Sequence, residues 1–309
     1  MDRPQRIVSL LSSATEILAG LQVADRLQAT SHECDFPPAL NHLPRVTRSW
    51  IDSAASSQQI DDEVKSRTKQ DQPLYQLDQE AICQLAPQLI ITQAQCDVCS
   101  IRYQDVAKLV ASRPELAETE LLALAPGSLD EMLEDIQRVA AAVGARQQAE
   151  RWIAELQGRL AQVQMVVVDQ PPTSVVCIEW TQPLMLAGNW VPGLIELAGG
   201  QSLLAPAGVH SQYQDWESVL AEDPDVILVA PCGFDLDRSL AEARQLTELP
   251  GWQQLKAVRQ QRSWVLDGNA LLNRSGPRLV DTVEILAHLL HPELELLNER
   301  DTQGLLARC

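Results

Sequence analysis

Two distant stretches of the chain follow one pattern, and this pattern decides the fold. Residues 77–91 read LDQEAICQLAPQLII, and residues 214–228 read QDWESVLAEDPDVIL. Aligned without a gap, they share aspartate, glutamate, proline and isoleucine at four positions. In each copy a short helix meets a proline, which disfavours helix at the preceding residue, and an apolar run typical of a buried strand follows. Similar junctions occur in many α/β proteins, but the duplication predicts two lobes of related build that face each other across a cleft.

Strand-like and helix-like segments alternate along the rest of the chain. Ile7 to Leu11 predicts a strand, and Ser13-Ala14-Thr15-Glu16 has the form of a capping box that opens a helix through Gly20. Further strands are predicted at 27–31, 89–92, 121–124, 174–179, 226–230 and 263–266, and further helices at 103–110, 129–143, 191–197 and 279–290. Such alternation predicts mainly parallel sheets covered by helices on both faces.

One long helix is predicted in the middle of the chain. Residues 145–163, ARQQAERWIAELQGRLAQV, lack proline and repeat apolar side chains at helical spacing. We therefore expect an α/β fold of two Rossmann-like lobes linked by a single helix. The predicted boundaries are an N-terminal lobe over 1–143, a linking helix over 144–168, and a C-terminal lobe with a tail over 169–309.

Composition excludes some classes of partner and suggests a compartment. Lysine and arginine number 24 against 42 acidic residues, a net charge of −18, so binding to nucleic acid or anionic lipid is not expected. The apolar runs are far shorter than the roughly 20 residues of a membrane span. The start, MDRPQRIVSLL, shows no secretory signal, and seven cysteines fit reduced thiols. The expectation is a cytoplasmic protein, or a periplasmic one only if a signal segment has been removed.

Longer motifs resemble a known family. They include RIVSLLSSATEILAGL at the N-terminus, LDQEAICQLAPQLIITQ, VVCIEWTQPLMLAGNWVPGLIELAGG, DWESVLAEDPDVILVAPCGF and VLDGNALLNRSGPRLVDTVEILAHLLHP. Together with the long helix, they resemble the substrate-binding proteins of cobalamin and iron-chelate ABC importers, and the cobalamin-binding members most closely. The resemblance covers nearly the whole chain. It implies a class III periplasmic-binding-protein fold and a metal chelate as ligand.

The resemblance also implies a role for two acidic residues. In that family, one acidic side chain on each lobe docks into arginine pockets of the membrane permease, and Glu80 and Glu217 match these positions. The alternative is that both are solvated surface charges. A cytoplasmic protein could not meet such a permease from outside, so the sequence predicts ligand binding without predicting transport.

Ligand-binding loops are expected at the carboxyl ends of the strands, where ligands bind in open α/β sheets. The loops to consider are 31–35, 93–99, 179–182 and 231–234. Tryptophan and tyrosine are concentrated in or near such loops, at positions 50, 180, 190, 213 and 216, and flat aromatic surfaces suit a corrin or porphyrin ring. The predicted ligand contacts are His32, Cys34, Trp50, Gln93, Cys96, Cys99, Trp180, Tyr213, Cys232 and Arg274.

The cysteines on these loops leave several interpretations open. Cys96 and Cys99 form a Cys-x-x-Cys pair after a predicted strand, a spacing found in zinc sites and in thioredoxin-like redox couples. A set for zinc or another soft metal would be His32, Cys34, Cys96, Cys99 and Cys232. The cysteines can instead line the wall of a chelate pocket, whereas Cys83 and Cys177, inside a helix and a strand, suit packing.

The sequence thus predicts a protein that binds cobalamin, a related corrinoid or another metal chelate. The alternatives are a metal-ion binding protein that uses the cleft cysteines and an enzyme that acts on a metal-chelate cofactor. The five histidines show no triad spacing, and the chain has no glycine-rich phosphate loop, so the expectation is that the protein is not an enzyme.

Overall fold

The protein is described by a computed structural model that covers residues 3–95, 98, 100–297 and 302–309. The chain forms two compact units. The first consists of Met1–Pro126 with Asp130–Ala154, and the second of Gly127–Leu129 with Glu155–Cys309.

The first part of the chain alternates strands and helices, as the sequence predicts. In chain order, the elements are β1 (Ile7–Ser9), α1 (Ser12–Gly20), β2 (Leu27–Thr30), β3 (Thr47–Ser49), α2 (Ser57–Lys69), β4 (Tyr75–Leu77), α3 (Gln79–Leu85), β5 (Leu89–Gln93), α4 (Tyr103–Ser112), β6 (Glu120–Leu124), α5 (Leu129–Val143) and α6 (Arg146–Val167). The α6 helix is 22 residues long, and the boundary between the units falls within it. A single long helix shared by two α/β units confirms the predicted fold class.

The sheet of the first unit is entirely parallel and has the strand order β2-β1-β5-β6. Ile7 and Val8 of β1 and Ile90 of the neighbouring β5 have no exposed surface. Parallel strands bury both faces, which explains why these strands are continuous apolar runs. A separate antiparallel ribbon pairs β3 with β4, in the register Thr47 opposite Leu77.

The second part of the chain builds a mixed sheet. Its elements are β7 (Thr173–Trp180), β8 (Met185–Leu186), α7 (Val191–Leu197), β9 (Gly200–Ser202), β10 (Gln212–Tyr213), α8 (Trp216–Glu222), β11 (Val226–Val229), α9 (Leu236–Thr247), α10 (Lys256–Arg259), β12 (Ser263–Leu266), α11 (Gly268–Leu271), α12 (Leu279–Leu290) and β13 (Leu306–Arg308). Parallel strands β9, β7, β11 and β12 form its centre, and β8, β10 and β13 add antiparallel edges.

The two copies of the repeated sequence have the same local structure. Asp78 and Asp215 are the N-cap residues of seven-residue helices, and each carboxylate accepts a hydrogen bond from the amide three residues later, at 3.0 and 2.7 Å. Both helices end at a left-handed residue, Ala86 with φ 41° and Asp223 with φ 41°. A proline and a buried parallel strand then follow in each unit.

The predicted capping box at the start of α1 is wrong. The helix begins at Ser12, and its N-cap residue is Leu11, which has no side-chain cap. The amide of Thr15 donates to the carbonyl of Leu11 at 3.1 Å, so the first turn starts before Ser13. Ser13 therefore lies inside the helix and is only 2% exposed.

Candidate functional site

An aromatic pair marks the carboxyl ends of β7 and β11 in the second unit. The ring centroids of Trp180 and Phe234 lie 5.3 Å apart with an interplanar angle of 41°. Trp180 is half-buried, and its indole Nε1 donates to the carbonyl of Gln182 at 3.0 Å, which fixes the ring orientation. Two loops that follow neighbouring parallel strands thus bring their aromatic side chains together, as expected for this edge of a sheet.

Backbone and amide contacts hold the 231–234 loop in place. The amide of Cys232 donates to the carbonyl of Glu179 at 3.0 Å, and the amide of Gly233 lies 3.3 Å from Asn273 Oδ1. Gly268, which follows β12, approaches the loop so closely that a β-carbon there would lie 2.2 Å from the carbonyl oxygen of Pro231. The loops after β7, β11 and β12 therefore form one packed cluster.

Two guanidinium groups belong to this cluster. Arg238 lies over the Phe234 ring at 4.8 Å and pairs with the buried carboxylate of Glu242 at 3.0 Å. Arg274 Nη2 donates to Asn269 Oδ1 at 2.8 Å, and the amide of Asn269 donates to the carbonyl of Phe234. Aromatic faces beside guanidinium groups can bind a flat ligand and pair with its anionic substituents.

Phe234, Arg238 and Asn269 were not among the predicted ligand contacts. Phe234 stands two residues after the predicted Cys232, so the loop position was visible in the sequence, whereas Arg238 lies in the first turn of the following helix. The third side chain, Asn269, stands three residues after the last residue of β12. Its role depends on a contact between loops that are distant in sequence, and no local pattern indicates such a contact.

His32 lies at the carboxyl end of β2 in the first unit. Its Nδ1 is 2.7 Å from Thr47 Oγ1, and that hydroxyl donates to Ser31 Oγ at 3.0 Å. Burial, together with the nearby charge of Arg45, lowers the pKa of His32, so the imidazole is neutral near physiological pH. A neutral imidazole whose Nδ1 is held by a hydroxyl has the protonation state of a metal ligand. The Tyr75 ring packs against it, with centroids 5.6 Å apart.

The other predicted contacts differ in exposure. Trp50 and Tyr213 are 47% and 51% exposed, and the guanidinium groups of Arg48 and Arg67 lie over the Trp50 ring, 5.5 and 5.9 Å from its centroid. Gln93 is 4% exposed, and its Oε1 accepts from the amide of Gln95 at 2.6 Å, so this side chain orders its own loop. Cys34 is 2% exposed, and its sulfur accepts a hydrogen bond from the hydroxyl of Thr15 at 3.2 Å.

The described residues provide no support for a zinc site. Cys96 and Cys99 lie outside the described part of the chain. Within residues 3–95, 98, 100–297 and 302–309, no three histidine, cysteine or acidic side chains come together in a way that could hold a metal ion. Burial raises the pKa of the Cys83 and Cys177 thiols, as expected for cysteines that pack in a core.

These features define the class of the protein, an α/β ligand-binding protein built from two units that share one long helix. The family model described as periplasmic binding protein matches residues 7–270, and the chain belongs to that family. This confirms the predicted family and the prediction that the protein is a binding protein rather than an enzyme. Over the described residues, no helix is both long and apolar enough to cross a membrane.

Several known proteins are similar to this chain. The vitamin B12-binding protein of Vibrio cholerae serotype O1 is 24% identical over 283 residues, which cover 91% of this chain and 87% of that protein. The periplasmic heme-binding protein RhuT from Roseiflexus sp. RS-1 is 27% identical with a TM-score of 0.69, covering 93% of this chain and 98% of that one. A periplasmic heme-binding protein from Pseudomonas aeruginosa has a TM-score of 0.74 and 22% identity, with 99% and 98% covered.

The expected cytoplasmic location is wrong. The family is that of periplasmic binding proteins, the two heme-binding structures are periplasmic, and a relative from Bacillus subtilis strain 168 is a substrate-binding lipoprotein of an ABC transporter. These similarities point to a location outside the cytoplasm. The expectation rested on the first residues of the sequence, and these do not determine the compartment.

Proposed function

We propose that the protein binds cobalamin, or another metal chelate built on a flat macrocycle, at the carboxyl-end loops of its units. The observation that carries the proposal is the Trp180–Phe234 pair with Arg238 over Phe234, at the edge of the sheet where α/β proteins bind ligands. The similarity to a vitamin B12-binding protein and to heme-binding proteins supports a chelate as the ligand.

The predicted contacts fall into two groups in this proposal. In the second unit, Trp180, Tyr213 and Arg274 have exposed or half-buried surface that suits a ligand. In the first unit, Trp50 is exposed, and neutral His32 is the group suited to ligate a metal. Gln93 and Cys34 are buried and hold their loops in position. Cobalt and iron accept imidazole as a ligand, which makes His32 the chemically suitable group.

The proposal includes delivery to the permease of an ABC transporter through Glu80 and Glu217. Both carboxylates are exposed and stand at the same place in the first turn of a short helix, two residues after the capping aspartate. Glu80 is held by Arg113, whose Nη2 lies 3.0 Å from its Oε1. Equivalent exposed acidic groups on the two units suit a partner that presents an arginine to each.

Thermal melting with different ligands tests the binding proposal. A ligand that binds only the folded state stabilises it by RT ln(1 + [L]/Kd), about 2.7 kcal/mol at a hundredfold excess over Kd. Cobalamin or a metalloporphyrin should raise the melting temperature by several degrees, and zinc chloride should leave it unchanged. A shift with zinc alone would favour direct metal binding, and no shift with any chelate would refute the proposal.

A further inference from the structure

A buried carboxylate on α9 connects the two loops that carry the Trp180–Phe234 pair. Glu242 is 3% exposed and stands on the buried face of α9. Its Oε2 accepts a hydrogen bond from the hydroxyl of Thr181 at 2.8 Å, and its Oε1 lies 3.0 Å from Nη2 of Arg238. Thr181 belongs to the loop after β7, whereas Arg238 stands on the helix that follows β11. One side chain thus links the carboxyl ends of two neighbouring parallel strands.

Packing alone does not explain a carboxylate at this position. Burying a charge costs free energy unless the charge is paired and hydrogen-bonded, and an aliphatic side chain would fill the same space without that cost. Both carboxylate oxygens of Glu242 are engaged, and Oε2 also accepts from Nε2 of Gln245 at 3.1 Å. Hydrogen bonds to a charged group are short and directional, so this carboxylate restrains the orientation of each partner.

The first arm of this network runs from Glu242 through Thr181 to Trp180. Thr181 is 6% exposed and is the direct neighbour of Trp180 in the chain. The indole Nε1 donates to the carbonyl of Gln182 at 3.0 Å, so the ring is held by the same short segment that Thr181 anchors. Loss of the hydrogen bond to Glu242 would release this segment and let the indole change its angle to Phe234, which is 41°.

The second arm runs from Glu242 through Arg238 to Phe234. The guanidinium carbon of Arg238 lies 4.8 Å from the centroid of the Phe234 ring. This cation–π attraction depends on where the guanidinium lies over the ring face, and the carboxylate one turn along α9 holds it there. The hydroxyl of Ser239 also donates to the carbonyl of Phe234 at 3.4 Å, so the backbone of the same residue is tied to α9.

We infer that Glu242 is the positioning residue of the aromatic site in the second unit. Through Thr181 it holds Trp180. Through Arg238 it holds Phe234, so one carboxylate sets the separation and the tilt of the two rings. The inference rests on the proposed function and gives a role to a residue that need not touch the ligand. Rings that are already ordered in the free protein bind a flat ligand more tightly, because less conformational entropy is lost on binding.

Para-fluorophenylalanine reports the second arm without any ligand. The chain has two phenylalanines, Phe36 and Phe234, so the labelled protein should give two fluorine NMR resonances, which Phe234→Leu assigns. Glu242→Gln keeps the side-chain shape and removes the charge that holds Arg238. This variant should shift the Phe234 resonance and leave that of Phe36, which lies in the first unit, unchanged.

Fluorotryptophan reports the first arm. Trp180→Phe assigns the Trp180 resonance among those of the seven tryptophans. Thr181→Val removes the hydroxyl that donates to Glu242 and should shift this resonance, whereas Thr181→Ser keeps a hydroxyl and should bring the resonance back close to its wild-type position. Unchanged spectra of Thr181→Val and Glu242→Gln, or a shift that serine does not reverse, would overturn the inference.

Asp135 provides the matched control. It is a buried carboxylate, 3% exposed, and it pairs with Arg138 on its own helix at 2.6 Å, but it lies in the first unit. Asp135→Asn should leave the Phe234 and Trp180 resonances where they are in the wild type. Shifts as large as those of Glu242→Gln would mean that the resonances respond to any lost buried ion pair, and this would overturn the inference.

Ligand affinity connects the position of the rings to binding. In titrations with cobalamin and with zinc mesoporphyrin, Thr181→Val and Glu242→Gln should each weaken binding about threefold, less than the loss of a whole ring face would cause. Thr181→Ser should recover most of the affinity, and Asp135→Asn should keep it.

Equal binding of a chelate by wild type and Glu242→Gln would overturn the inference and leave the proposed function intact. Binding of no chelate by the wild type would refute the proposed function, while shifted fluorine resonances would still support the role of Glu242 in holding the two rings.

Discussion

Gly20, the last residue of α1, packs directly against the indole of Trp152 on α6. A β-carbon at position 20 would lie 2.1 Å from Cη2 of Trp152, closer than any real contact. We therefore expect Gly20→Ala to destabilise the protein by roughly 1–3 kcal/mol, because the added β-carbon would overlap the indole ring and force it out of its rotamer. Urea unfolding should measure this loss.

A glycine on the same helix as Trp152 provides the matched control. Gly158 lies within α6, and a β-carbon there would meet nothing within 4 Å. Gly158→Ala should stabilise the protein by about 0.4–1 kcal/mol, because alanine is the better helix former and loses less backbone entropy on folding. Equal effects of the two substitutions would show that the contact with Trp152 is not tight.

Much of the fold follows from hydrophobic periodicity alone. The helices at 129–143 and 279–290 and the strand at 263–266 have the bounds that the sequence predicts. The polar helix α2 was missed because only Ser57 and Asp61 are buried in it, so it has no apolar stripe. Its stability comes instead from a capping box and from i,i+4 ion pairs, which a search for apolar spacing does not detect.

The candidate site was less predictable from the sequence. Trp180 stood out because it follows a predicted strand. Its partner Phe234 lies in the loop after a different strand, and Arg238 reaches the Phe234 ring from helix α9. Neither contact can be read from local sequence. Trp216, counted among the loop aromatics, stacks on the buried Trp252 with centroids 6.0 Å apart. The sequence alone does not tell whether a tryptophan lies in a ligand-binding loop or in the hydrophobic core, because tryptophan is common in both.

Asp225 should make stability depend on pH in the acid range. Burial opposes its ionisation, but Lys256 and the hydroxyl and amide of Ser174 outweigh burial and hold its pKa at about 2, below the ordinary 3.8. Because the pKa of Asp225 is lower in the folded than in the unfolded protein, its charge stabilises the fold at pH values above about 4. This contribution is lost as the pH falls from about 4 to about 2.

Asp225→Asn should therefore destabilise the protein by about 1 kcal/mol near neutral pH, an amount reduced by partial solvent exposure. The difference from wild type should shrink as the pH falls below about 4 and nearly vanish near pH 2. Urea unfolding of both proteins across this range measures it. A difference that is the same at every pH would mean that the charge of Asp225 contributes nothing.

The thiols should differ in reactivity. Burial raises the pKa of Cys177, and the nearby charge of Glu179 adds to this effect. Burial also raises the pKa of Cys83. Both thiols are therefore almost entirely protonated at neutral pH, and a protonated thiol is a poor nucleophile. Cys309 is exposed. In the folded protein, iodoacetamide should modify Cys309 first, and Cys83 and Cys177 should react only after denaturation, as followed by peptide mass spectrometry. Fast modification of Cys177 in the native state would contradict its burial.

The two proposed docking residues should be separable from ligand binding. Replacing Glu80 and Glu217 together by alanine should leave the affinity for cobalamin within about twofold of wild type, because both carboxylates are exposed and stand at helix starts rather than beside the Trp180–Phe234 pair. Isothermal titration calorimetry measures this. A large loss of affinity would place these carboxylates in the ligand site and contradict the docking role.

The most direct test of the central claim is the difference absorption spectrum of the purified protein titrated with cobalamin and with a metalloporphyrin, for wild type and Trp180→Ala. We expect at least one chelate to bind wild type saturably at one equivalent. Trp180→Ala should weaken that binding by about tenfold, the effect of losing one aromatic face, which corresponds to about 1.4 kcal/mol. No spectral change with either chelate, or equal binding by the variant, would contradict the account.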